Sequence, residues 1–156
     1  MALGYVLLFF EWNWPGTEKE IRQAIEISPN SSDVHLGLAG WFTVMGRYDD
    51  AVKEAQIAVQ LDPLFVNAIF RLGAGFYECC RYAEAEEQFQ KALELHPAFA
   101  FAAYVLALLH SAQGRHQEAL RVLASAADTP ITRAYMALAY VRAGDREKGL
   151  GDRSRD

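Results

Sequence analysis

Hydrophobic residues recur with helical spacing along most of the chain. Within residues 80–97, Phe89, Ala92 and Leu93 lie at intervals of three and four positions, on one face of a helix. Glu86 and its polar neighbours fall on the opposite face. The segment therefore predicts an amphipathic helix that buries one side and exposes the other.

The same pattern returns at a fixed interval, since similar stretches occupy residues 46–63 and 114–130. Several columns of residues keep a 34-residue period. The columns are Ala24, Ala58, Ala92 and Ala126; Ala51, Ala85 and Ala119; Gly46, Cys80 and Gly114; Tyr48, Tyr82 and His116; and Pro29, Pro63 and Pro97, followed one residue early by Pro130. Columns that stay in phase over three periods indicate a tandem repeat.

The columns have physical roles in a pair of antiparallel helices. Gly46 and Gly114 reach a positive φ at little cost, where one helix ends and the chain reverses. Proline cannot continue a helix interior and predicts the end of the second helix. Ala51 and Ala85 are small, which predicts a close approach of two helices. The first helix of each pair is the more apolar, and stacking of successive pairs buries it.

We therefore predict an all-α superhelical solenoid of tandem antiparallel helix pairs, forming a single domain at residues 1–150 with a disordered tail at 151–156. The predicted repeats are residues 1–29, 30–63, 64–97 and 98–130, with a partial repeat at 131–150 that has a first helix, a turn at Gly144 and the start of a second helix. The apolar run at residues 3–10 is too short to span a membrane and predicts a buried helix. This run and the helix at 135–141 leave apolar ends through which self-association is expected.

A 34-residue helix–turn–helix period of this kind resembles the tetratricopeptide repeat over most of the chain. The first-helix pattern of apolar, small and aromatic residues appears as Leu38, Ala39 and Phe42; Leu72, Gly73 and Phe76; and Leu106, Ala107 and His110. The second-helix pattern appears most fully as Ala85, Phe89, Ala92 and Pro97. The combination, more than any single column, carries the resemblance.

The resemblance implies a function as well as a fold. First helices in this family line a concave groove that binds extended or helical peptides, which implies a non-catalytic protein-binding scaffold or adaptor without a cofactor. The groove positions that it assigns are Leu36, Gly40, Thr43, Val44, Asn67, Phe70, Ala74, Tyr77, Glu78, Phe101, Tyr104, Leu108 and Ser111. Among the aromatic residues, Phe70, Tyr77, Phe101 and Tyr104 are expected to be exposed there. Leu72, Phe76 and Phe89 are expected in the core, and Trp41 against the preceding repeat.

The ligand expected from these positions is apolar. Chaperone-binding members of the family hold an acidic C-terminus with a clamp of basic and amide side chains. Leu36, Gly40, Phe70 and Phe101 occupy the corresponding places here, and only Arg71 is basic. An apolar helix or peptide is therefore the expected partner.

Two alternative functions stay open. The stretches EWNWP and IRQAIEISPN resemble the tetratricopeptide regions of bacterial multidomain regulators and adenylate cyclases, which implies a regulatory or sensory arm of a larger protein. The other alternative is a homo-oligomerisation module that uses the apolar end helices.

Composition limits other classes of function. Of 156 residues, 52% are hydrophobic and 22% charged, which argues against intrinsic disorder. The net charge is −5, and residues 1–63 hold 9 acidic and 4 basic groups, so no basic patch for nucleic acid is visible. The adjacent Cys79 and Cys80 are poorly placed for a disulfide, which favours a reducing, cytoplasmic setting. Neither nucleic acid nor membrane is an expected partner.

Residues suited to catalysis are sparse. The four histidines lack the spacing of a helical metal pair, and no phosphate-binding glycine loop occurs. His110 and His116 occupy columns that usually hold aromatic residues, so packing is the expected role of both. A thiol enzyme based on Cys79 is the remaining catalytic hypothesis, and it lacks a nearby orienting base. We therefore expect no enzyme activity and no catalytic or metal-binding residue.

Overall fold

The computed structural model describes residues 14–126 and 128–145, and every regular element within these ranges is a helix. The helices are α1 Trp14–Ile27, α2 Ser32–Val44, α3 Tyr48–Leu61, α4 Val66–Glu78, α5 Tyr82–Leu95, α6 Ala100–Ala112, α7 His116–Ser125 and α8 Pro130–Arg142. The predicted all-α class is confirmed. The apolar run at 3–10, the helix expected after Gly144 and the tail at 151–156 lie outside the described residues.

The chain divides into two compact units, Met1–Ala85 and Glu86–Asp156, here called the N-terminal unit and the C-terminal unit. In the N-terminal unit, α2 packs against α1, α3 and α4, and α3 packs against α4. In the C-terminal unit, α6, α7 and α8 pack against one another. Stacking of helices on neighbours in sequence is the packing expected of a tandem repeat.

Five of the seven alanines in the two columns lie in the core, as their small size predicts, whereas Ala24 and Ala126 at the ends of one column are half-buried. Ala51, Ala85 and Ala119 are buried, and so are Ala58 and Ala92. Small residues at these places let neighbouring helices approach closely, and larger ones would overpack the contact.

The bulky residues assigned to the core are also buried. Leu72, Phe76 and Phe89 are all inaccessible or nearly so. Trp41 packs with Leu38, and Ile21 of α1 lies against them, so the predicted contact of Trp41 with the preceding repeat is confirmed.

Gly75 lies where α3 and α4 approach each other closely. A Cβ atom built at this position would lie 2.9 Å from Cγ2 of Val52, a buried side chain of α3. Val52 is β-branched and has few rotamers with which to retreat. Glycine at position 75 thus sets the distance between the two helices.

Four helices end in the same kind of turn. The residue in the left-handed region is Gly46, Cys80, Gly114 or Gly144, with φ of 70°, 58°, 77° and 86° respectively. In each turn, the next backbone N–H donates to a carbonyl five residues earlier, as from Arg47 to Phe42 at 2.9 Å. These are Schellman turns, which satisfy carbonyls at a helix end. The turns predicted at these four positions are confirmed.

Pro130 departs from the predicted pattern. It is the first residue of α8 and does not mark the end of α7, which already stops at Ser125 after 10 residues. Proline suits the first turn of a helix, because its missing N–H would have no helical partner there. Thr129 caps α8, since its Oγ1 accepts a hydrogen bond from the Thr132 N–H at 3.1 Å. The period therefore shortens between α6 and α8.

Candidate functional site

The predicted groove positions of α2 lie on the side of the helix that packing leaves open. Leu36, Gly40 and Thr43 are half-buried and Val44 is exposed. The positions between them, including Leu38, Ala39 and Trp41, are buried. Residues spaced by three or four positions share one helical face, so the open positions form a continuous strip along α2.

The predicted positions of α4 form a similar strip. Phe70 and Ala74 are half-buried, whereas Asn67, Tyr77 and Glu78 are exposed. The alternate face of α4 is buried in the N-terminal unit. Since α2 packs against α4, the two strips belong to one unit, and we call them together the first-helix face. It consists of Leu36, Gly40, Thr43, Val44, Asn67, Phe70, Ala74, Tyr77 and Glu78.

The predicted positions of α6 in the C-terminal unit divide into two groups. Phe101 is 66% exposed and Leu108 is half-buried. Tyr104 and Ser111 are only 9% and 8% exposed, so the expected exposure of Tyr104 is wrong and Ser111 is buried at its assigned groove position. The C-terminal unit therefore offers fewer open side chains than the family pattern implies.

Tyr104 is a packing residue because α8 covers it. Its ring stacks on Tyr135 with the centroids 5.1 Å apart, and its hydroxyl lies 3.0 Å from the hydroxyls of Thr129 and Thr132. Hydrogen bonding to Thr129 is the main cause that lowers the pKa of Tyr104. The two threonines fall where the period shortens, so the repeat pattern gave no sign of this network.

Gly40 is a position of the first-helix face with room for a side chain. Among the described residues, no heavy atom of a neighbour lies within 4 Å of a Cβ built there. A side chain at residue 40 would therefore extend over the face without displacing packed atoms. Glycine is otherwise unfavourable in a helix interior. Because it has no side chain, nothing projects from the helix at this part of the surface.

A column of arginines follows the turns and was not recognised in the sequence. Arg47, Arg81 and Arg115 are 34 residues apart, each directly after the residue of positive φ. The guanidinium groups of Arg47 and Arg81 lie 4.4 Å above the rings of Phe42 and Phe76 respectively, as cation–π contacts. The arginine column could have been found in the sequence, because its spacing equals that of the alanine columns.

Arg115 has one more acidic partner than the other two arginines, and His110 takes the place of the phenylalanine at this turn. Arg115 donates to both carboxylate oxygens of Glu86, through Nη1 at 2.8 Å and through Nη2, and to Glu118 at 3.1 Å. Hydrogen bonding to Arg115 is the main cause that lowers the pKa of Glu86. The pair is bidentate, which fixes its geometry.

His110 is buried beside these charges, with 4% of its surface exposed. Its Nε2 lies 3.2 Å from Glu86 Oε1 and its Nδ1 lies 3.9 Å from Glu118 Oε2, and neither nitrogen is in hydrogen-bonding geometry. Burial is the main cause that lowers the pKa of His110, and Arg115 adds to it. The predicted packing role of His110 agrees with this burial.

The comparisons with known proteins bear on this arrangement. Residues 66–99, which contain α4 and α5, match the family model of the tetratricopeptide repeat. The chain has the tetratricopeptide-repeat fold. A search of curated proteins finds no sequence match.

Solved tetratricopeptide-repeat structures resemble the whole chain. MamA has 22% identity and a TM-score of 0.78, covering 96% of this chain and 90% of its own. TTC0263 of Thermus thermophilus, described as a thermophilic TPR protein, has 19% identity and a TM-score of 0.76, covering 96% and 84%. YrrB, described as a TPR protein with an unusual peptide-binding site, has 17% identity and a TM-score of 0.72, covering 96% and 78%. At these identities the likeness concerns the fold.

The tetratricopeptide fold places Cys79 where its thiol is not activated. Cys79 donates from Sγ to Asp49 Oδ1 at 3.8 Å, and burial, reinforced by the Asp49 charge, raises the pKa of the thiol. A nucleophilic cysteine needs the opposite shift. Cys79 and Cys80 are both free.

Within 14–126 and 128–145, no group of three or more His, Cys, Asp or Glu side chains is arranged to hold a metal ion. No helix in the described part of the chain has the length and apolar character needed to cross a membrane. Tetratricopeptide repeats are a fold of protein-interaction scaffolds, and the open helix faces are the features that fit such a role.

Proposed function

We propose that this tetratricopeptide-repeat chain is a non-catalytic binding module that holds a peptide or helix of a partner protein on the first-helix face. One observation carries the proposal. On α2 and α4, the positions where the family binds its ligands are the positions that packing leaves open. Side chains such as Leu36 and Tyr77 thus offer apolar and aromatic contact area, which dominates binding energy at protein interfaces.

The C-terminal unit has a smaller open surface of its own. We propose a partner-binding role there for Phe101 and Leu108, which stay open on α6. Tyr104 and Ser111 are excluded from it by their burial. The free cysteines are consistent with the cytoplasmic setting expected from the sequence.

A side chain added at Gly40 tests the proposal without disturbing the core. Gly40→Met should fold normally, since its side chain extends into open space, and should obstruct the first-helix face. Ala83→Met is the matched control, because Ala83 is an exposed residue of α5 outside the face. Wild type and both variants, checked for equal helicity, would be used to capture proteins from a lysate of the source organism.

The expected result is a partner retained by wild type and by Ala83→Met and lost by Gly40→Met. Equal capture of that partner by Gly40→Met would place its binding elsewhere and overturn the assignment of the face.

Self-association is a second candidate function, and α8 provides its support. Ile131, Leu138 and Val141 of α8 are exposed, although they are large and apolar. Such side chains commonly mark an interaction surface. Leu138→Glu should lower the mass measured by light scattering at high concentration, whereas a wild-type mass that stays monomeric across the series would remove this candidate. The regulatory-arm alternative rests on the sequence resemblance around EWNWP alone.

A further inference from the structure

The net charge of the chain comes from the unit that carries the first-helix face. The N-terminal unit contains 11 acidic and 6 basic side chains, and the C-terminal unit contains 9 of each. The net charge of −5 therefore belongs to the N-terminal unit. A partner approaching this unit meets a negative potential, which favours cationic segments in the encounter.

The basic side chains around the turns of the N-terminal unit are engaged by acidic neighbours. Arg47 and Lys53 both pair with Asp50, through Arg47 Nη2 at 2.6 Å and Lys53 Nζ at 3.2 Å. Arg81 pairs with Glu84. These pairs compensate each other at the turns and on the second helices. They leave the charge of the first-helix face unchanged.

Two carboxylates frame the first-helix face without a cation beside them. Asp33 is exposed in the first turn of α2, and Glu78 is the exposed last residue of α4. Neither forms an ion pair with any side chain in the described ranges. Because α2 and α4 are first helices of successive repeats and run in the same direction, the two carboxylates lie at opposite ends of the face. Gly40 and Ala74 lie between them.

Arg71 is the one basic residue of α4. Its guanidinium group is not freely available to neutralise the carboxylates of Asp33 and Glu78. Its side chain is half-buried, and its Nε is inaccessible and without a hydrogen-bond partner among the described residues. The competing prediction is therefore that the face binds an anionic ligand through Arg71. The experiment must distinguish it from binding of a cationic segment.

We propose that the first-helix face selects partner segments with an apolar centre and a Lys or Arg toward each end. The centre of the segment covers Leu36, Gly40 and Ala74, while its cationic ends lie near Asp33 and Glu78. This inference rests on the proposed function and adds the charge of the ligand to it. Paired charges at the rim of an interface govern specificity and association rate more than total affinity.

The experiment is a selection from a display library of random twelve-residue peptides, carried out on four forms of the full chain. They are wild type, Gly40→Met, the double variant Asp33→Asn with Glu78→Gln, and the control Glu26→Gln with Glu94→Gln. Glu26 of α1 and Glu94 of α5 are exposed carboxylates that are not residues of the face, so the control changes net charge equally. Enriched peptides would be sequenced, and their affinities measured by fluorescence anisotropy at low and high NaCl concentration.

The expected outcome is enrichment of peptides that combine apolar residues with Lys or Arg, for wild type and control alike. The double variant should bind them about fivefold more weakly and lose most of the salt dependence, as expected for two exposed ion pairs. Gly40→Met should lose them altogether. Apolar peptides without charge bias, blocked by Gly40→Met, would overturn this inference and leave the proposed function standing.

Other outcomes overturn the inference in distinguishable ways. Enrichment of acidic peptides would assign recognition to Arg71 instead. Basic peptides that bind all four forms equally would place their site off the face and overturn both proposals. Failure to enrich any peptide on wild type would likewise count against both.

Discussion

The turns after α2 and α4 and the turn after α6 have the same backbone and different side-chain chemistry. In the first two, an arginine lies 4.4 Å above a phenylalanine ring, and it pairs with an acidic residue three positions further on. In the third, His110 stands in place of the phenylalanine, and Arg115 keeps the pair three positions further on, with Glu118, and adds a second one with Glu86. The repeat thus conserves the geometry of the turn while exchanging an aromatic contact for a charged cluster.

The difference shows how much a repeat can change at one position without losing its fold. The Schellman hydrogen bond joins Arg115 N–H to the His110 carbonyl at 2.8 Å, as it joins Arg47 to Phe42 at 2.9 Å. The backbone therefore does not depend on the aromatic ring. The stability of the third turn depends on charge balance, since two carboxylates share one guanidinium beside a buried imidazole.

Replacement of the arginine by alanine should give the largest difference in unfolding free energy between the turns. Arg115→Ala leaves Glu86 and Glu118 near each other with no cation, and Glu86 is largely covered. Loss of one partner of a fully buried pair costs about 3–5 kcal/mol, so about 1–2 kcal/mol is expected for this partly exposed one. Urea unfolding followed by circular dichroism measures the change.

Arg47→Ala is the matched control for Arg115→Ala. It removes one exposed cation–π contact and one surface ion pair, so it should cost clearly less. If both variants lost the same unfolding free energy, the charged cluster around Arg115 would stabilise the fold no more than the cation–π contact and ion pair of Arg47.

Acid should destabilise the fold through His110. Burial lowers the pKa of His110 below its ordinary value of 6.5, so the unfolded chain binds the proton at a higher pH than the folded chain. The unfolding free energy therefore falls as the pH decreases below about 6.5, by up to about 1.4 kcal/mol per pH unit. His110→Phe restores the aromatic residue of the other turns and should remove this loss.

The measurement compares unfolding free energies at about pH 7.5 and about pH 5.5, above the range in which carboxylates titrate. His96→Gln serves as control, since His96 is exposed. A pH dependence that persists in His110→Phe would assign the titration to another group.

The smallest effects should come from the residue of positive φ. Gly114→Ala places a Cβ in the left-handed region and should cost about 1 kcal/mol, although the space around it is open. Cys80 already has φ of 58°, so Cys80→Gly should relieve that strain and stabilise the fold by about 0.5 kcal/mol. Thermal unfolding of both variants measures the changes. A loss of stability in Cys80→Gly would mean that the cysteine side chain makes a favourable contact at the turn.

The period made most of the fold predictable from sequence. Helix pairs, the turns at Gly46, Cys80, Gly114 and Gly144, and the buried alanines all follow from residues whose small size or backbone freedom is needed at one place. Such requirements are local and leave a mark in the sequence. The prediction that Pro130 marks the end of a helix was wrong, because proline fits either outside a helix or in its first turn.

The candidate site was less predictable, for a physical reason. Family positions identify a side of the helix, but exposure depends on what the neighbouring helix carries. Tyr104 became buried because Tyr135, Thr129 and Thr132 of the irregular last repeat cover it. The arginine column was visible in the sequence, whereas the partners of Arg115 required the placement of α5 beside α7.

The empty space at Gly40 has a consequence for how this surface can evolve. At a core position such as Gly75, an added Cβ would lie 2.9 Å from Val52, so any replacement there also disturbs the packing of the fold. A replacement at residue 40 meets no such contact among the described residues, so it changes the shape of the open surface while the helix gains intrinsic stability. Duplicated copies of this gene segment can therefore vary this surface at residue 40 and inherit the scaffold intact.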